Sequence, residues 1–146
     1  MTQSNYQTEF FSKESILELL KQTNDLEFES FRIPKIHNEL NVLLLEMGKR
    51  ISSLSKKQKR MFKEKWLYYS GKASQEVYKE KPFSLKVLKT DLGIFLESDE
   101  ELSELNHQLD HLKLEIKFIE ECLKQLNQRN YQHRIIMDDR RFKSGG

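Results

Sequence analysis

The sequence predicts a mainly all-α, elongated protomer whose long helices associate with copies of themselves. Three observations lead there. Glycine and proline together number seven in 146 residues, so long helices meet few breakers. Charged residues make up 33% and hydrophobic residues 37%, less apolar material than a single compact core of this length usually carries. Apolar residues recur every three or four positions over two long stretches, and such stripes are buried most simply against other helices.

Residues 1–11 read as a polar, mobile leading segment, and Ser12 is an N-cap candidate for a short helix that carries Ile16, Leu17, Leu19 and Leu20 and ends near Asn24. Asp25 to Ile33 reads as a connection. Pro34 suits the first turn of the next helix, where its missing N–H would be unpaired anyway. Ile36, Leu40, Leu43, Met47, Ile51 and Leu54 then recur at helical spacing, and nothing breaks the pattern before Gly71. This predicts one helix of about 36 residues, on the order of 54 Å long. Gly71 is the natural stop because glycine adopts the left-handed conformation that closes a helix.

Between residues 72 and 97 the pattern is irregular. Pro82 interrupts, and Phe83, Leu85 and Val87 alternate with Ser84, Lys86 and Leu88. This reads either as a short strand or extended arm at 83–88 or, further on, as a helical turn over Leu92 to Leu96. Ser98 and Glu101 then have the spacing of a capping box. After them come Leu102, Leu105, Leu109, Leu112, Ile116, Ile119, Leu123 and Leu126, alternating steps of three and four that predict a left-handed coiled-coil seam for oligomerisation. Leu114 and Phe118 lie on a second face, which suits a bundle or ring better than a simple dimer. A further helical stretch from Tyr131 to Phe142 carries Ile135, Ile136 and Met137, with Arg134, Arg140, Arg141 and Lys143 towards its end, before a fraying SGG terminus. The expected organisation is an N-terminal helical region (1–71), an irregular connecting arm (72–97) and a C-terminal oligomerisation region (98–146).

The net charge of +2 conceals a segregation that says more about partners than the total does. From Lys49 to Lys72 there are nine Lys or Arg against Glu64 alone, and from Glu97 to Cys122 nine acidic residues against Lys113 and Lys117. The first block is the footprint of a nucleic acid or another anionic surface; the second reads as a solvated coiled-coil face. Cys122 is the only cysteine, which rules out an intrachain disulfide and a thiolate cluster within one subunit. No secretory pattern and no membrane-length apolar run is present, so a cytoplasmic protein is expected.

The chemistry concentrates between Lys56 and Lys72. Lys56, Lys57, Lys59, Arg60, Lys63, Lys65 and Lys72 interleave there with Phe62, Trp66, Tyr68 and Tyr69. Proteins that grip single strands need cations for phosphates and aromatic faces for unstacked bases. On a helix, Lys56, Lys59, Arg60 and Lys63 share one face. The plainer reading is a solvated basic helix whose Phe62, Trp66 and Tyr69 continue the core stripe. Binding flat on an anionic membrane is disfavoured because Ser52, Ser53 and Ser55 interrupt the apolar face. His107 and His111, four apart with Glu104, Asp110 and Glu115 nearby, read as exposed or interface residues rather than metal ligands. Gly71-Lys72-Ala73-Ser74 lacks the upstream glycine and preceding strand of a phosphate-binding loop. Cys122 reads as a small interface residue. No nucleophile, acid–base pair, metal site or cofactor site emerges, so an enzyme is not expected.

The string YYSGKASQEVYKEKPFSLKVLKTDLGIFLESDEELS, extended upstream through FKEKW and downstream to NQRNYQ and RRFKSGG, resembles the UvsY recombination mediator family of T4-like phages, most closely its cyanophage-type members. The likeness covers residues 62–146; upstream only the helical pattern is shared. The family's DNA-contacting motif is a lysine, one residue, an arginine, two residues and Tyr-Tyr-Ser-Gly. Here Lys63 supplies the lysine and Lys65 stands at the arginine, keeping the charge without the planar fork. The resemblance implies a hexameric or heptameric ring that binds single-stranded DNA in the cytoplasm of an infected bacterial host. It further implies a mediator that loosens the phage single-strand-binding protein and loads a RecA-like recombinase during recombination, replication and repair. The competing readings are a coiled-coil adaptor whose basic helix binds an acidic protein, and an architectural protein of duplex DNA.

Overall fold

The structure, a computed structural model, describes residues 13–145; Ser12 as an N-cap, the leading segment 1–11 and Gly146 of the SGG terminus lie outside the described residues. Five helices follow one another: α1 (Lys13–Leu19), α2 (Leu26–Tyr69), α3 (Gln75–Glu80), α4 (Leu92–Ser98) and α5 (Glu100–Lys143). The fold is all-α, with no strand among the described residues, and residues 82–88 have no regular secondary structure. The helical turn expected at Leu92–Leu96 is α4. None of the described helices is long and apolar enough to cross a membrane. The described chain divides into two compact units, one of residues 13–45 with 117–145 and the other of residues 46–116.

In the first unit, Ile16, Leu20, Ile33, Ile36, Leu40, Ile119, Cys122 and Leu126 are buried. Helix α2 begins at Leu26, eight residues before the proline expected to open it. Asp25 explains the early start, because its Oδ1 accepts the Phe28 N–H at 3.1 Å and caps the first turn. Pro34 therefore sits inside the helix, where a proline costs about 3 kcal/mol. Burial of Ile33 and Ile36 on either side of it offsets that cost.

At seven residues α1 is too short to persist alone, and its C-terminal carbonyls need donors. Two arginines from distant parts of the chain supply them. Arg32 donates to the carbonyls of Leu19 and Lys21, and Arg129 donates to Leu20 at 2.8 Å. Glu29, fully buried, holds this arrangement: its Oε1 accepts the Thr23 N–H at 2.9 Å, the Thr23 hydroxyl at 3.0 Å and Arg32 at 3.2 Å.

In the second unit, α2 and α5 lie side by side and antiparallel. Gln58 donates to Asn106 at 3.2 Å, and further along Lys65 meets Asp99 at 3.1 Å. Met47, Leu92, Leu96, Leu102, Leu105, Leu109 and Leu112 are buried here. The heptad stripe of α5 is thus largely covered within the single chain: Leu102, Leu105, Leu109, Leu112, Ile119 and Leu126 are buried, and Ile116 and Leu123 half-buried. Such a stripe specifies a helical partner but not which chain supplies it. Beyond Leu126 the helix runs unbroken to Lys143, so the stretch from Tyr131 is part of α5 and not a separate helix.

The capping box at Ser98 does not form. The Ser98 hydroxyl donates back to Ile94 and Phe95 as the last residue of α4, and Glu101 pairs with Lys81 at 2.9 Å. The cap belongs to Asp99, whose Oδ1 accepts the Leu102 N–H at 2.9 Å. The aspartate one residue later caps the next amide along, Leu102 instead of Glu101, and the serine is left to close the preceding helix.

Burial alone would raise the Glu29 carboxyl, but the Thr23 amide and hydroxyl and the Arg32 guanidinium hold it below the ordinary glutamate range. A carboxyl depressed by folding contributes stability that is present above its unfolded pKa and lost as pH falls through its folded value. Glu29→Gln is therefore expected to lower unfolding free energy in urea by about 1–3 kcal/mol at pH 7. The gap to wild type should narrow below about pH 4; a gap that stayed constant on acidification would show that Glu29 is not charged in the folded protein.

Candidate nucleic-acid interface

The basic stretch occupies the last turns of α2. Lysine and arginine are good helix formers, so the charge run does not oppose the helix it rides on. The helix is closed by a Schellman motif: the Gly71 N–H donates to Tyr68 at 3.3 Å and the Lys72 N–H to Leu67 at 2.9 Å, with Gly71 at φ 77°. Gly71 is the predicted stop, and it turns the chain so that Lys72 folds back over the helix. The Lys72 Nζ lies 5.1 Å from the centre of the Trp66 ring, a cation–π contact worth roughly 0.5–1 kcal/mol at an exposed site.

The predicted cations divide into two groups. Lys56, Lys57, Lys59, Arg60, Lys63 and Lys72 are exposed, and among the described residues none of them enters an ion pair. Lys56, Lys59, Arg60 and Lys63 share one helical face, and Phe62 is exposed beside them. Lys65 stands apart. Its side chain is 17% exposed and meets Asp99 Oδ2 at 3.1 Å and Glu101 Oε2 at 3.6 Å.

The aromatics divide as well. Trp66 is half-buried beneath Lys72. Tyr68 and Tyr69 instead belong to a cluster with Tyr78, Phe83 and Phe95. Tyr68 stacks on Tyr78 with ring centres 5.6 Å apart, and Tyr69 meets Phe83 and Phe95 at 5.4 and 5.6 Å. Their hydroxyls are also engaged: Tyr68 donates to the Lys81 carbonyl at 3.1 Å, and Tyr69 to Asp99 Oδ2 at 2.6 Å. Burial, then the Asp99 carboxylate, push the Tyr69 phenol well above its ordinary value, so it remains a donor at neutral pH. Tyr78 braces the same turn, donating to the Tyr68 carbonyl at 2.8 Å and accepting the Ala73 N–H at 3.2 Å.

Tyr78, Phe83, Phe95, Lys81, Asp99 and Glu101 are the site's supports, and sequence reasoning did not assign them to it. The available clue was the density of aromatics in the arm. Asp99 is the least visible, being one acidic residue in an acidic run. Burial alone would raise its carboxyl, but the Tyr69 hydroxyl, the Leu102 amide and the Lys65 ammonium hold it below the ordinary aspartate range. Elsewhere His111 contacts Glu115 at 3.4 Å and His107 is exposed. Burial, then Glu121, push up the thiol of the buried Cys122.

Residues 12–146 match the family profile described as "Recombination, repair and ssDNA binding protein UvsY", so the family likeness reaches well upstream of Phe62. Crystal structures of the bacteriophage T4 recombination mediator protein UvsY have the same fold. One, in lattice type II, superposes with a TM-score of 0.77 at 17% identity, covering 92% of this chain and 98% of that one. Another, in lattice type IV, gives 0.75 at 17% identity over 88% and 94%. No curated protein sequence matches the chain.

The Schellman turn yields a direct test. A Cβ at Gly71 would meet nothing within 4 Å, so only the backbone conformation opposes substitution. Gly71→Ala is expected to cost about 1–2 kcal/mol in urea unfolding and Gly71→Asn visibly less; equal costs would mean that the turn is not left-handed in solution.

Proposed function

This chain belongs to the UvsY family of recombination, repair and ssDNA-binding proteins, and from that premise we propose that it is a non-enzymatic recombination mediator that binds single-stranded DNA along the exposed basic face of α2. The observation that carries the reading is the group of cations at Lys56, Lys57, Lys59, Arg60, Lys63 and Lys72, exposed and without ion pairs among the described residues. Cations without an ion pair, five of them on the helix itself, take up phosphates without first breaking a salt bridge of their own. Trp66, with Lys72 against its ring, offers a stacking face, and base–aromatic stacking is worth about 1–3 kcal/mol per base. Tyr68 and Tyr69 contribute by packing that turn.

One such face binds weakly. Joining several in a hexameric or heptameric ring raises the effective concentration of each site for the rest of the strand, and this makes capture tight and sensitive to salt. With the α5 heptad largely buried in the chain, self-association falls to apolar residues that α5 leaves exposed: Tyr131, Ile135 and Phe142 share a face, while Ile136 and Met137 are exposed on other sides of the helix. In this reading the ring loosens the phage single-strand-binding protein and loads a RecA-like recombinase in the cytoplasm of the infected host.

The test is anisotropy titration of labelled oligo-dT across a salt series, with duplex competitor. Wild type is expected to bind single strands in preference to duplex. Lys59→Ala/Lys63→Ala should bind more weakly, with a log–log salt slope shallower by about 0.7 for each phosphate no longer neutralised and an unchanged oligomer size. Absence of binding at low salt would discard this reading in favour of an adaptor, and equal competition by duplex would favour a duplex-binding architectural protein. In sedimentation, Ile135→Glu/Phe142→Glu is expected to yield smaller species that bind oligo-dT at least tenfold more weakly; an unchanged assembly would place the interface elsewhere.

A further inference from the structure

Of the seven cations between Lys56 and Lys72, Lys65 alone is turned inward. It lies two positions after Lys63, which on an α-helix is a rotation of about 200°, so when Lys63 faces solvent Lys65 faces the neighbouring helix. There it meets a carboxylate already in demand. Asp99 Oδ2 accepts the Tyr69 hydroxyl at 2.6 Å as well as Lys65 at 3.1 Å, and Oδ1 caps α5 through the Leu102 N–H at 2.9 Å. Glu101 stands on the other side of the ammonium at 3.6 Å and is itself shared with Lys81 at 2.9 Å. A phosphate approaching Lys65 would have to displace one or both carboxylates and then sit beside them. Lys63, Lys59 and Arg60 present no such obstacle.

We propose that Lys65 is a positioning residue that does not touch DNA: by neutralising Asp99 it fastens the last turn of α2 to the first turn of α5 and so holds Trp66 and Lys72 where the strand meets them. The proposal rests on the single-strand-binding reading and assigns the two lysines of the Lys63-Glu64-Lys65 segment different tasks. Lys63 contributes charge to the strand, and Lys65 contributes geometry to the site. It also gives Asp99, an acidic residue, a favourable part in binding an anion, which a purely electrostatic view would assign the opposite sign.

The opposite sign supplies the test. Salt-series titrations with oligo-dT are made on full-length wild type, Lys63→Met, Lys65→Met, Asp99→Asn and Glu101→Gln, with Ile36→Val as a core variant of the other unit. Lys65→Met and Asp99→Asn are each expected to weaken binding roughly three- to tenfold with the wild-type salt slope, because the number of neutralised phosphates does not change. Their double variant should be no weaker than either alone, since both break one linkage. Lys63→Met should reduce the slope, and Ile36→Val should leave affinity unchanged, separating positioning from general loss of stability. If Lys65 were a phosphate ligand, Lys65→Met would flatten the slope as Lys63→Met does, and Asp99→Asn and Glu101→Gln would tighten binding by releasing it. Either result overturns the proposal while leaving the single-strand reading intact. Should Lys65→Met or Asp99→Asn fail to fold, Glu101→Gln decides, because its side chain is more than half exposed: tighter binding with a steeper slope refutes the proposal, and unchanged or weaker binding at the wild-type slope supports it. Wild type that did not bind oligo-dT would remove both readings together.

Discussion

The Asp99 carboxylate is the point on which the second unit turns. Three donors converge on its two oxygens: a phenol from the end of α2, an ammonium one turn earlier on the same helix, and the amide that opens α5. A buried carboxylate so surrounded is strongly directional, because removing any donor leaves a charge in a poorly solvated place. The Asp99 N–H also reaches back to the Leu96 carbonyl as α4 ends. One residue therefore closes one helix, opens the next and ties both to the far end of a third. The aromatic cluster of Tyr68, Tyr69, Tyr78, Phe83 and Phe95 packs against this junction and adds the apolar weight that a chain with 37% hydrophobic residues must place with care.

The segregation of charge along the sequence becomes intelligible in this setting. Neutralising the whole basic block with the acidic residues of α5 would leave nothing to attract an anionic partner. The structure pairs only what the junction needs. Asp99 and Glu101 take Lys65 and Lys81, while the remaining cations of the Lys56–Lys72 stretch stay exposed to solvent. Exposed like charges repel one another, and the cost is bearable because water and salt screen them. The stripe is carried on a helix whose stability comes from its opposite face, so folding does not depend on the residues that a strand would use.

Much of this was legible in the sequence where a physical rule acts locally. The stop at Gly71 follows from one left-handed residue, and the long helical spans follow from apolar spacing. The basic–aromatic stretch was evident from composition alone. What escaped depended on which of several suitable groups prevailed. Asp25 opens α2 eight residues ahead of Pro34 because a capping carboxylate and two buried isoleucines outweigh one misplaced imide. Asp99 displaces Ser98 as a cap by a single position. The heptad of α5 was visible, but its partner was not, since a stripe of leucines reads the same whether the facing helix is its own or another's. Lys65 was indistinguishable from Lys63 until its neighbour across space was known, and the sequence left open whether the tyrosines stack or pack because the rings they meet lie in a segment without periodicity.

The two arginines that gather the carbonyls at the end of α1 have a consequence for the order in which the chain can acquire its structure. A helix of seven residues cannot nucleate by itself, and one of its clasps lies 109 positions further along. During synthesis α1 leaves the ribosome well before the arginine that clasps it, and is thus late to settle. Contacts of such separation close slowly. In the finished protein the same helix should be the first to open, so the exchange of its amide hydrogens would register whether the far end of α5 is in place.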